Sequence, residues 1–177
     1  MLVMESVAHA ERRGARIHAE VVSGGNTNDA YHAVTPRPDS LGVVTMMRLA
    51  LAKASIDASE IGYVNPHGTS TPQGDAAETK AIKEVFGDHA SKLVISSTKS
   101  ATGHQFGGAG SFEVAVCALA LRDQIVPPTL NYRDPDPECD LDYVPEGART
   151  VELEYALSNS MGLGGHNGCV VLRRYHG

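Results

Sequence analysis

Two histidines, each following a short apolar stretch and each beside glycine and hydroxyl residues, are the side chains best suited to do chemistry. They stand in Asn65-Pro66-His67-Gly68-Thr69-Ser70-Thr71 and in Ser97-Thr98-Lys99-Ser100-Ala101-Thr102-Gly103-His104. Strands that end at one edge of a sheet project their terminal side chains into a shared crevice. Two neutral imidazoles near an ammonium group can hold a carbonyl oxygen and stabilise negative charge that develops on it. Taken alone, His67 reads as a hydrogen-bonded turn residue. The second strand-end histidine, His104, turns the reading toward convergence on one site. Lys99 is either a solvated surface lysine or, crowded among Ser96, Ser97, Thr98 and Ser100, a buried ammonium that needs a carboxylate. Asp75, Glu78 and Glu113 are the candidates, and a Lys99 so paired would orient His104 rather than act as nucleophile. No serine or cysteine stands in a recognisable nucleophile motif.

Other chemistries fit less well. Gly162-Leu163-Gly164-Gly165-His166-Asn167 breaks the dinucleotide-binding spacing and precedes a strand rather than a helix; no phosphate-binding Gly-Lys-Ser/Thr loop occurs. That run reads either as a tight hairpin turn or as a backbone N–H aimed at an oxyanion, and both readings stand. His67, His104 and His166 have no compact ligand spacing, so no metal is expected. No cofactor is expected either. His9, His18, His32, His89 and His176 read as surface or locally bonded residues.

Several elements must position these groups. Met1–Glu5 reads as a strand, Ser6–Arg13 as a short helix, Arg16–Ser23 as a second strand, and Gly24–Asp29 as a turn-rich loop. Val44, Met47, Leu51 and Ala54 recur at helical spacing across 41–54. Asp57–Glu60 is a turn and Ile61–Asn65 a strand leading to His67. Pro72 suits the first turn of a helix that runs on from Asp75 to Phe86. Lys92–Ser97 reads as a buried strand, and Gly107–Gly110 opens an apolar helix to about Leu121. Asn131–Pro145 is an ordered loop, and Tyr155–Asn159 and Gly168–Arg173 are final strands. Strands separated by helices of ten or more residues imply a mostly parallel, five-stranded mixed sheet covered on both faces and closed by an antiparallel hairpin. The fold class is α/β.

Composition narrows the partners. With 177 residues, 42% hydrophobic and 20% charged, the chain has globular values and enough length for a core. A net charge of -6 without a basic cluster argues against nucleic acid. No apolar run suggests a bilayer span or a leader, so no membrane partner is expected. Three scattered cysteines suit a reducing cytoplasm, with Cys117 and Cys169 read as buried small hydrophobes.

The chain resembles the C-terminal half of the β-ketoacyl-[acyl-carrier-protein] synthases, nearest in look to the type II elongation enzymes. The resemblance is carried by Tyr63–Pro72 (YVNPHGTSTP), Gly74–Thr79 (GDAAET), Ser96–Gly110 (SSTKSATGHQFGGAG), Ala120–Thr129 (ALRDQIVPPT), Cys139–Pro145 (CDLDYVP) and Ala156–Asn167 (ALSNSMGLGGHN). It implies a thiolase-like fold built from two similar α/β halves, residues 1–177 forming the second. It further implies a Cys-His-His site that performs decarboxylative Claisen condensation of an acyl thioester with malonyl-carrier protein, in fatty acid or polyketide synthesis. The nucleophilic cysteine belongs to the N-terminal half, outside these residues. By resemblance, His67 and His104 hydrogen-bond the malonyl thioester carbonyl, Lys99 supports the second histidine, and Glu113 is its partner. Asp75 and Glu78 join that network, Thr69 and Thr71 contact the phosphopantetheine arm, and Leu163-Gly164 lie beside the oxyanion hole. Leu163 and Met161 stand where the family usually has Phe, and Pro66 where it has Ala. The implied partners are acyl carrier protein and either the N-terminal synthase half or further copies of this chain. The alternative is a non-catalytic module resembling chain-length-factor subunits, or a degenerate remnant.

Overall fold

The computed structural model describes Met1–Gly177. Its elements are α1 (Val7–Arg12), β1 (Glu20–Asn28), α2 (Leu41–Ala54), β2 (Ile61–Asn65), α3 (Pro72–Phe86), β3 (Val94–Ile95), α4 (Lys99–Thr102), α5 (Ala109–Asp123), β4 (Ile125–Val126), β5 (Arg149–Thr150), β6 (Tyr155–Gly162) and β7 (His166–Arg173). Five strands form one sheet in the order β1-β7-β6-β2-β3, and β4 and β5 form a separate two-stranded ribbon. β2 pairs in parallel with β3 and β6, whereas β7 runs antiparallel to both β6 and β1. The sheet is therefore mixed, with a larger antiparallel share than the sequence suggested, because β1 joins beyond the closing hairpin.

Alternation along the strands divides two cores between the faces. Val64, Ile95, Leu157 and Val171 meet α2 and α3, in a cluster with Val44, Met47 and Ile82. Their neighbours Tyr63, Val94, Ala156 and Leu172 meet α5 through Cys117, Ala120 and Leu121. Each fully buried aliphatic side chain contributes about 1.5–3 kcal/mol. Both sides of the sheet are thus occupied, which holds rigid the carboxyl edge from which His67 and His104 follow.

Of the boundaries that differ from the sequence reading, three have a clear physical reason. Met1–Glu5 is not a strand; it is exposed and pairs with nothing in the sheet. The second strand starts at Glu20 instead of Arg16 and runs straight through the glycines read as a loop. Gly25 is there for close approach rather than for turning, since a Cβ would lie 2.1 Å from the Met46 carbonyl oxygen on α2. β3 shrinks to two residues because Lys92 ends a short 3₁₀ helix before it, and beyond the Ser96 N–H bond to Val64 the chain turns through Ser97 and Thr98 into α4.

The helix α2 matches its expected span, and α3 opens with Pro72 at its first position, where no N–H partner is needed. The ordered loop is confirmed: the Ile95 N–H donates to the Asp142 carbonyl (2.9 Å) and the Thr129 N–H to the Val144 carbonyl (3.1 Å). That anchoring sets residues 129–143 beside the end of β3.

Candidate active site

His67 lies two residues past β2, and a buried carboxylate holds its backbone. Glu78 on α3 accepts the N–H of His67 through Oε1 (2.9 Å) and that of Gly68 through Oε2 (3.0 Å). Asn159 on β6 donates to Oε1 as well (3.2 Å). Burial pushes the Glu78 carboxyl above its ordinary range, against the pull of these three donors. The Ser97 hydroxyl then donates to the Gly68 carbonyl (2.7 Å) and ties the first motif to the second. Gly68 has φ +39°, and a Cβ there would meet the Ser97 side chain at 2.7 Å. Only glycine suits that crossing point.

The two imidazoles do converge. Their ring centroids are 5.4 Å apart and the planes stand at 84°, edge to face. His67 is driven down to a pKa of about 4, first by desolvation and then by the charges of Lys99 and His104. It is therefore neutral at pH 7. His104 accepts the Phe106 N–H at Nδ1 (3.3 Å). With that nitrogen accepting, the neutral ring carries its proton on Nε2.

Lys99 begins α4 and is buried, forming an ion pair with Glu113 on α5. Of the three carboxylates considered for it, Glu113 is the partner, Glu78 serves the His67 turn, and Asp75 contacts neither. Burial raises Glu113 while the ammonium pulls it back. Asp75 lies in the first turn of α3 with a buried Oδ1 that has no partner, and desolvation raises it too. Asn65 Oδ1, His67 Nδ1, Glu113 Oε2 and Asn159 Oδ1 are likewise buried and unpartnered.

A cleft of about 720 Å³ opens next to these groups. Thr69, Thr71, Asp75, Glu78, Lys99 and His104 line it, facing Thr129–Asp134, Cys139 and Tyr143 of the ordered loop. The Thr69 and Thr71 hydroxyls are 3.2 Å apart. Leu163 and Gly164 stand outside it, at the tip of the β6–β7 hairpin. Leu163 is 67% exposed, and the Gly164 N–H already donates to the Ala33 carbonyl (2.7 Å). His166 contacts Asn28 at the same hairpin and not the two site histidines. All three thiols are held above their ordinary range by desolvation, Cys169 at about 11. Such thiols are poor nucleophiles at neutral pH.

Sequence reading missed Asn159 and Phe106. A buried strand interrupted by Ser158 and Asn159 was the available signal for the first, because buried polar groups need partners. The second needed the tertiary structure.

The fold is that of the thiolase-like ketosynthases. A solved complex described as a type II PKS acyl-carrier protein with its ketosynthase bound to the hexaketide superposes with a TM-score of 0.94 at 38% identity, over 97% of this chain and 42% of that one. A beta-ketoacyl synthase from Burkholderia phymatum STM815 gives 0.90 at 40% identity, over 97% and 41%. The chain belongs to the beta-ketoacyl synthase family, whose C-terminal domain matches residues 18–133. It is 48% identical over 173 residues to 3-oxoacyl-[acyl-carrier-protein] synthase 2 of Coxiella burnetii (strain RSA 493 / Nine Mile phase I), and 49% identical over 175 residues to that of Vibrio harveyi. Each alignment spans 98% of this chain but 42% of the relative, so the chain covers about two fifths of those proteins' length. No helix is long and apolar enough to cross a membrane.

Proposed function

We propose that residues 1–177 form the C-terminal domain of a β-ketoacyl synthase and carry its decarboxylation apparatus. The nucleophilic cysteine would come from an N-terminal half, and the substrates would arrive as thioesters on acyl carrier protein. The reading rests on one observation above the others: two imidazoles 5.4 Å apart at the sheet edge, one kept neutral and the other with Nε2–H as its donor. Imidazole N–H donors suit the carbonyl of a malonyl thioester. As the carboxylate departs as carbon dioxide, its electron pair enters the enolate, and the oxygen gains charge where His67 and His104 converge. The enolate carbon then attacks the acyl thioester held on the cysteine, forming the carbon–carbon bond and releasing the thiolate. Glu78 and Asn159 would fix the His67 turn, and the Lys99–Glu113 pair would fix α4 beneath His104. Thr69 and Thr71, on the cleft wall, would bind the phosphopantetheine amides.

The test is carbon dioxide release from malonyl-acyl-carrier-protein by the protein that contains this domain. His67→Ala and His104→Ala should each lower the rate about 10²–10³-fold, the usual loss for one oxyanion donor. Rates within twofold of the parent would overturn the reading. These residues alone should make no ketoacyl product, and product formed unaided would refute the need for an upstream cysteine. Tight carrier-protein binding with no carbon dioxide release would favour the chain-length-factor-like alternative.

A further inference from the structure

We infer that Phe106 is a positioning residue for His104, setting through its ring and its own amide which nitrogen and which face the imidazole presents. The inference rests on the reading of His104 as an oxyanion donor. The phenyl ring stacks on the imidazole with centroids 4.9 Å apart and planes at 16°. From the same residue, the backbone N–H donates to His104 Nδ1 at 3.3 Å. His67 approaches the imidazole edge-on at 84°. The imidazole is therefore stacked against one ring, met edge to face by another, and held at one nitrogen by an amide.

The backbone of Phe106 makes a purely incidental contact a poor account. Its φ is +50°, a left-handed conformation that bulky side chains avoid. Strained residues of this kind persist where the surroundings need the geometry. Gln105, at φ -84° and ψ 13°, aims the residue-106 amide back at residue 104, and the left-handed φ of Phe106 then sets its ring relative to that amide. Neighbouring Gly107 has nothing within 4 Å of a built Cβ, so crowding there does not force the turn.

Long-range ¹H–¹⁵N correlation spectra of the labelled 177-residue chain at neutral pH test this. The expected wild-type His104 pattern is an unprotonated Nδ1, a protonated Nε2, and carbon-bound ring protons shifted upfield by the phenyl face. Phe106→Gly removes the ring yet favours the positive φ, so the upfield shift should vanish and the ring signals should average over orientations. Phe106→Tyr should keep the wild-type pattern. Should the glycine variant fail to fold, Phe106→Leu supplies apolar bulk without an aromatic face and should lose the upfield shift in the same way. Wild-type His104 signals in a folded Gly or Leu variant would overturn the inference, as would a Tyr variant displaced as far as those. No substrate is present in the measurement, so its outcome stands apart from the decarboxylation assay.

Discussion

At the scale of single residues, the buried charges are the most exposed to test. Lys99 and Glu113 pair across α4 and α5 with almost no solvent access. Removing one partner strands the other charge in the interior and typically costs about 3–5 kcal/mol, whereas replacing both by apolar groups is often near neutral. Lys99→Met alone should lower the urea midpoint sharply, and Lys99→Met with Glu113→Leu should recover most of the loss. Equal losses in the single and double variants would mean that the pair is not the cause. His67 makes a second test, through pH. Its folded pKa of about 4 lies below the ordinary 6.5, so the folded state resists protonation that the unfolded chain accepts. That contribution is fully present above pH 6.5 and is lost as pH falls toward 4, amounting to about 3 kcal/mol. In His67→Asn, unfolding titrations at pH 7 and 4.5 should show correspondingly less acid destabilisation than in the parent.

At the scale of elements, the approach of α2 to β1 is the tightest constraint. A Cβ on Gly25 would lie 2.1 Å from the Met46 carbonyl oxygen and 3.3 Å from the Ala50 nitrogen, both backbone atoms that cannot swing away. Gly25→Ala should therefore push α2 off the sheet and cost about 3 kcal/mol, the upper part of the range for overpacking. Thermal unfolding followed by circular dichroism measures this, and a change below about 0.5 kcal/mol would show that the helix shifts freely. The same packing explains why a Gly-Gly pair that looks like a turn lies inside a nine-residue strand. Local composition reports conformational freedom, but here the glycine answers a neighbour distant in sequence.

At the scale of the whole molecule, one face of α5 has no cover. Phe112 is 36% and Leu119 42% exposed on the side away from the sheet, and Phe106 stands just before the helix. Apolar side chains aligned on one helix face mark a surface that associates. The 177-residue chain should sediment as more than a monomer at micromolar concentration, or bind the N-terminal half proposed above. Phe112→Asp with Leu119→Arg should shift it to monomer without loss of helical signal. A parent chain that is already monomeric would refute this.

Much of the protein was legible without coordinates. Helical periodicity marked the span of α2, Pro72 marked the start of α3, and two glycine-flanked histidines after apolar stretches pointed to a candidate site, because local pattern and residue chemistry act over a few positions. Glu113 was weighed as the partner of Lys99 from the sequence, but so were Asp75 and Glu78. The family resemblance implied Glu113, and the packing of α4 against α5 is what brings the two side chains together. The grip of Glu78 on the His67 turn, the crossing of Ser97 and Gly68, the near-edge contact of the two imidazoles and the stack of Phe106 joined residues that are adjacent in space alone. Residue types determined what chemistry was available. The tertiary structure decided which groups meet, since hydrogen bonds, desolvation and ring contacts depend on distances that sequence spacing does not set.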